Sequence, residues 1–138
     1  MLGKPVRASS LVPAIALAVL TLAVFWVLQD YGPESAIRRF HDAVLSRDAL
    51  ALAQVTEDDL NDLPTQRLIQ NVLLLGEKGA TYRILGMQRE TRRVAAEVQY
   101  NLPDGKSGRT IWIVVKRNRV WKVEASETGQ YFRKTLGL

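Results

Sequence analysis

The chain has no cysteine, and a single histidine, His41, in its 138 residues. The first absence excludes disulfides, thiolate nucleophiles, cysteine-linked lipidation and every zinc site built on thiolates. The second excludes a multi-histidine metal cluster. The acidic stretch Thr56–Leu63 contains no glycine, so it lacks the sharp turn that a calcium loop needs. Aromatic residues do not interleave with the basic ones, as a single-strand nucleic-acid platform would require. There is no internal repeat and no low-complexity linker. Basic residues are missing between Arg7 and Arg38.

That last gap holds the longest apolar run, Leu11–Leu28, eighteen residues without a charge or an amide. As a helix it would extend roughly 27 Å, close to the ~30 Å of a hydrocarbon core. The reading is a transmembrane helix over 11–28, anchored by Leu11, Leu20, Phe25, Trp26 and Leu28. Lys4 and Arg7 before it place residues 1–10 as a cytoplasmic tail, and 29–32 as a juxtamembrane linker. A cleaved signal peptide is the rival, but Phe25-Trp26-Val27-Leu28 puts bulk where cleavage needs small residues. The expected location is single-pass in a bacterial inner membrane, with the remaining domain outside. Formal charge is +5, from 19 Lys+Arg against 14 Asp+Glu. This is a mild basic excess, and nucleic acid is not an expected partner.

Beyond the run, Pro33 opens a helix whose Ile37, Phe40, Val44 and Leu45 form an apolar stripe. Asp48 is placed to cap a short helix through Leu50, Leu52 and Val55. Pro64 restarts a helix carrying Leu68, Val72, Leu73 and Leu75, ended by Gly76 or Gly79. From Ala80 the period changes to two. Tyr82, Ile84 and Gly86 are expected on one strand face, with Leu85 and Met87 on the other. Val94, Ala96, Val98 and Tyr100 alternate with polar residues, and Pro103-Asp104-Gly105 signals a turn. The run 110–115 is apolar on both faces, and Val120–Ala125 returns from the tip Lys116–Arg119. Such short connections make the strands antiparallel. The expectation is α+β, two or three helices packed on a curved four-stranded antiparallel sheet over 33–126, with a C-terminal tail at 127–138.

The opening Pro33–Asp48 segment, the Arg47-Asp48 start of a short helix, and Val120-Trp121-Lys122-Val123 near the end resemble the nuclear transport factor 2-like superfamily, with its cystatin-like α+β cone. The resemblance spans about 33–126. It implies a cone that serves small-molecule binding, acid–base enzymes or membrane-anchored assembly modules, including an assembly factor of type IV secretion systems. Enzymes of that superfamily place a His or Asp with a nearby Tyr inside the cone. Here those residues would be His41, Tyr82 and Tyr100, and Glu97 would face away from Tyr100.

A half-exposed boundary histidine is the plainer reading of His41, since general acid–base work needs a second group in reach of the substrate proton. Trp112 and Trp121 read as packing residues, and Glu57, Asp58, Asp59 and Asp62 as caps and a solvated turn. Arg117 and Arg119 at a hairpin tip, with Tyr131, Phe132, Arg133 and Lys134 in the tail, are the candidate partner contacts. The leading expectation is a non-enzymatic accessory subunit docking onto a larger integral membrane complex of secretion, respiration or photosynthesis. It would need no cofactor and no metal. The alternative is a ligand-binding or enzymatic cone, recognisable by an open pocket at His41, Tyr82 or Tyr100.

Overall fold

The computed structural model describes residues 12–22 and 32–138, which fall into two units divided between Tyr31 and Gly32. In the first unit residues 12–22 form helix α1, in which the Thr21 hydroxyl donates to the Leu17 carbonyl at 2.8 Å. No helix among the described residues is long and apolar enough to cross a membrane. Residues 12–22 account for about 16 Å of helix, roughly half a hydrocarbon core. The expected transmembrane helix over 11–28, and the single-pass inner-membrane location built on it, are therefore corrected. Hydropathy says what surroundings a segment tolerates, whereas crossing also demands helical length. Leu20 lies in α1; Leu11, Phe25, Trp26 and Leu28, the tail 1–10 and most of the linker lie outside the described residues.

The second unit runs α2 (Pro33–Leu45), α3 (Ala49–Val55), α4 (Leu63–Glu77), β1 (Thr81–Arg89), β2 (Arg93–Asn101), β3 (Ser107–Arg117), β4 (Val120–Val123) and α5 (Ala125–Leu136). With α1 this is an α+β chain of five described helices and one antiparallel sheet in the order β1-β2-β3-β4. Pro33 sits at the start of α2, where a missing N–H costs nothing. Ile37, Phe40 and Val44 are buried, while Leu45 at the end of the stripe is 49% exposed. Asp48 caps α3 by accepting from the Ala51 N–H at 3.1 Å.

Helices α2 and α4 end alike. After α2, the Arg47 N–H donates to the Val44 carbonyl and the Asp48 N–H to Ala43; after α4, Gly79 donates to Gly76 and Ala80 to Leu75. This paired pattern requires a left-handed residue just past the cap. Gly79 supplies it at φ 76°, but Arg47 must adopt φ 55° against its own Cβ.

The sheet departs from the simple alternation at one place. A β-bulge at Leu85 separates the pairs Ile84↔Val98 and Gly86↔Glu97. The extra residue reverses the parity, so Met87 joins Tyr82 and Ile84 against the core instead of facing away. Central strand β3 buries Thr110, Trp112, Ile113, Val114 and Val115, hence its run without a polar face.

The stretch read as a tail from 127 is helix α5, so the domain extends to the last residue. Ala125, Thr128 and Phe132 are its buried row, and Gly137 closes it at φ 69°. Strand β4 reaches only the last residues of β3, 114–117, with a parallel bridge from Val123 to Thr56 on its other side, and α5 covers the edge of β3 that it leaves open. The Thr128 hydroxyl accepts from the Ile113 N–H at 3.0 Å, and Leu136 packs over Gly108, where a Cβ would meet its Cδ2 at 2.5 Å. Covering an unpaired edge in this way removes a site of aggregation. The start of α5 is capped from afar: Asp58 accepts from the Ala125 N–H at 2.7 Å.

Arg119 repeats the strain of Arg47. With Asn118 it forms the β3–β4 turn at φ 67° and 50°, the geometry that favours Asn-Gly. Arg47→Gly and Arg119→Gly should each raise unfolding stability by about 1 kcal/mol. Urea midpoints measure this, and a loss of stability in both variants would contradict the backbone assignment.

Candidate functional site

His41 lies on the buried side of α2 and is 3% exposed, not at a half-exposed boundary. Its Nδ1 stands 2.8 Å from the Ile37 carbonyl oxygen, which can only accept, so Nδ1 carries the proton. The neutral ring then presents Nε2 as an acceptor, and the Tyr100 hydroxyl donates to it at 2.7 Å. Trp112 Nε1–H donates in turn to the Tyr100 oxygen at 3.1 Å. These three bonds form one chain across β3, β2 and α2 in which every donor has an acceptor.

Tyr82 stacks on the histidine ring, centroids 3.9 Å apart and planes 16° from parallel. Below this layer the interior is filled. Phe40 and Phe132 both meet Trp112 edge-on, at 5.3 and 5.7 Å between centroids. Burial drives the His41 pKa down to about 4, against a smaller raising effect of the Ile37 hydrogen bond. Burial also raises Tyr100 well above its ordinary value, against the lowering effect of the Trp112 hydrogen bond. Tyr82 is pushed up to about 12, again by burial, with Asp42 adding and Arg38 opposing. All three groups are neutral across the physiological range.

An open cavity of about 310 Å³ sits over this layer, lined by His41, Tyr82 and Tyr100 with Leu45, Val72 and Leu75 among its apolar walls. It is placed by the end of α2, the second half of α4 and the start of β1. Gly76 brings α2 close to α4, since a Cβ there would meet Leu45 Cδ2 at 2.2 Å. A second cavity of about 190 Å³ shares Leu75 and Tyr100 with the first and continues along Leu102, Gly108 and Leu136 to Lys78 and Lys106. Neither ammonium pairs with an acid among the described residues. The result is one trough, apolar along its length, with a tyrosine and histidine at one end and two lysines at the other.

No family model and no curated protein matches this chain.

The structure thus brings His41, Tyr82 and Tyr100 together and turns Glu97 away, toward Arg109. It does not gather the six expected partner contacts. Phe132 is fully buried in the core. Arg117 is held by Glu57 at 2.9 Å, and the turn bearing Arg119 lies toward the opposite end of β3 from the α5 residues Tyr131, Arg133 and Lys134. Among the described residues no group of acids and histidine could hold a metal ion. Sequence reading missed Trp112 as a hydrogen-bond donor and Lys78 and Lys106 as one end of a trough. Trp112 falls on the Ala96–Tyr100 face only once the β2–β3 register is known.

The buried neutral histidine makes stability depend on pH. Unfolded, it titrates near 6.5; folded, near 4. Between these values the unfolded chain binds more protons, so the contribution is complete above pH 6.5 and is lost as pH falls toward 4, about 3 kcal/mol in all. Urea unfolding from pH 7 to 5 should show the loss, and His41→Leu should flatten that slope despite its lower stability at pH 7. A wild-type profile flat between pH 6.5 and 5 would refute the buried neutral state.

Proposed function

We propose that residues 32–138 form a binding module for a small amphipathic molecule, an apolar body with an anionic end, and that the module is not an enzyme. The observation that carries this is the open trough over His41, Tyr82 and Tyr100, ending at Lys78 and Lys106. Its larger cavity lies at the lower end of the ~300–1,000 Å³ typical of small-ligand sites, which are mostly apolar with a few polar groups. The lysines suit a carboxylate or sulfonate head, and the leucines, Val72 and Tyr82 suit its body. The fold order and the filled interior below the trough agree with a nuclear transport factor 2-like cone whose mouth, not its depth, holds the ligand.

The non-enzymatic half rests on the hydrogen-bond chain. A general base must have a free lone pair in reach of substrate, and the one on His41 is occupied by the Tyr100 hydroxyl. A tyrosine raised by burial is likewise a poor acid near neutrality.

Decanoate is a suitable probe. Titrated into the full chain, it should shift the NMR signals of Tyr82, Leu75 and Tyr100 saturably, with decanol binding at least tenfold more weakly. Val72→Phe, which fills the first cavity, should weaken decanoate by at least tenfold. Absence of saturable shifts at these residues would overturn the reading.

A further inference from the structure

On the other side of α4 lies a cleft of opposite character. Two adjoining cavities, about 210 and 360 Å³, run between α4 and α5 and share Arg67, Asn71, Arg133 and Leu138. Gln130 lines the first and Gln66 and Gln70 the second, and no acidic residue lines either. Neither arginine makes an ion pair among the described residues. Glu57, Asp58, Glu124 and Glu127 are engaged by Arg117, the start of α5 and Arg93 instead.

Helix position does not account for the pair. Arg133 is in the last turn of α5, where the dipole welcomes a cation, but Arg67 is in the N-terminal half of α4 and gains nothing from it. Arg67 and Arg133 reach one cleft from separate helices, and two like charges lining the same open cleft favour an anion bound between them. Their planar forks match the paired oxygens of a carboxylate or phosphate, and the side-chain amides beside them supply further donors and acceptors.

We infer that the α4–α5 cleft is a second binding site, taking an oxyanion-bearing small molecule through Arg67 and Arg133 with Asn71 and Gln130 beside it. It is separate from the apolar trough and does not depend on that reading. Specificity for the rest of the ligand comes from the amides of Gln66 and Gln70 and the apolar wall of Leu63 and Pro64.

The test is a titration of the full chain with inorganic phosphate and, separately, malonate, against sodium chloride of matched ionic strength. Arginine Nε–H and side-chain amide signals of Arg67, Arg133, Asn71 and Gln130 should shift saturably with one or both anions and not with chloride. A response to phosphate alone assigns a phosphoryl group, to malonate alone a carboxylate, and to both a general oxyanion site. Arg67→Gln and Arg133→Gln should each weaken binding at least tenfold, whereas Arg89→Gln, on β1, should leave it unchanged. Linear shifts, equal shifts at Arg83, Arg89 and Arg92, or unchanged affinity in both cleft variants would overturn the assignment. The wild-type titration decides the matter even if a variant is poorly folded.

Discussion

The domain depends on what happens around one hydroxyl group, that of Tyr100. An interior built from Phe40, Trp112 and Phe132 is apolar enough that an unmatched polar atom costs about 1–3 kcal/mol. Three polar groups nevertheless meet within it, the indole N–H, the phenol and the imidazole. They are tolerated because Tyr100 accepts from one and donates to another, while His41 Nδ1–H donates to the Ile37 carbonyl. Helix α2 is thereby fixed on the sheet in one rotation, since a turn either way would break the Tyr100–His41 bond, the one link of the chain that joins sheet to helix. The aromatic rings supply the buried area, and the hydrogen bonds supply the register.

Two irregularities then shape the mouth above that layer. The bulge at Leu85 lets a nine-residue strand keep Tyr82 and Ile84 on the core side and still return Met87 to it. Bulges also bend and twist the strand that carries them, which suits a sheet that must wrap around α2. At the far edge, α5 takes over where β4 stops. Its Thr128 accepts from the Ile113 N–H of β3, and it brings Leu136 to the wall of the second cavity. Without that helix the trough would have only one side at its lysine end.

Much of this could be read from residue order. The α2 stripe, the Asp48 cap, the alternation of β2 and the turn at Gly105 are all local signals, decided by residues within a few positions of one another. What escaped reading is non-local or breaks a period. One inserted residue at Leu85 reverses a strand's faces, and no composition marks it. Helix α5 carries Thr128, Gly129 and Thr135, weak helix formers, and its helical spacing of Ala125, Thr128, Phe132 and Leu136 was the available clue. Its cap, Asp58, comes from 67 residues away, so no motif announces it. The apolar run erred in the other direction. Strong hydropathy alone implies a helix of matching length, yet among the described residues of that run only 12–22 are helical.

Helix α4 is the wall between the two clefts, and its sequence is divided accordingly. Leu68, Val72 and Leu75 make the row that faces the core and the trough, while Arg67 and Asn71, one step around the helix, face α5. Both sites therefore hang on the same element, which invites the idea that filling one alters the other. Coupling of that kind requires an element with two arrangements of similar energy. Helix α4 has Pro64 in its first turn, the fully buried Leu68 in its middle and a glycine-closed cap at its end. Rotating it to serve one cleft would pull Leu68 and Val72 out of the core, at a cost of about 2–5 kcal/mol for each side chain's packing. A ligand shifts α4 only by as much as it prefers one arrangement over another, and with a single packed arrangement of this helix the two proposed sites should act independently.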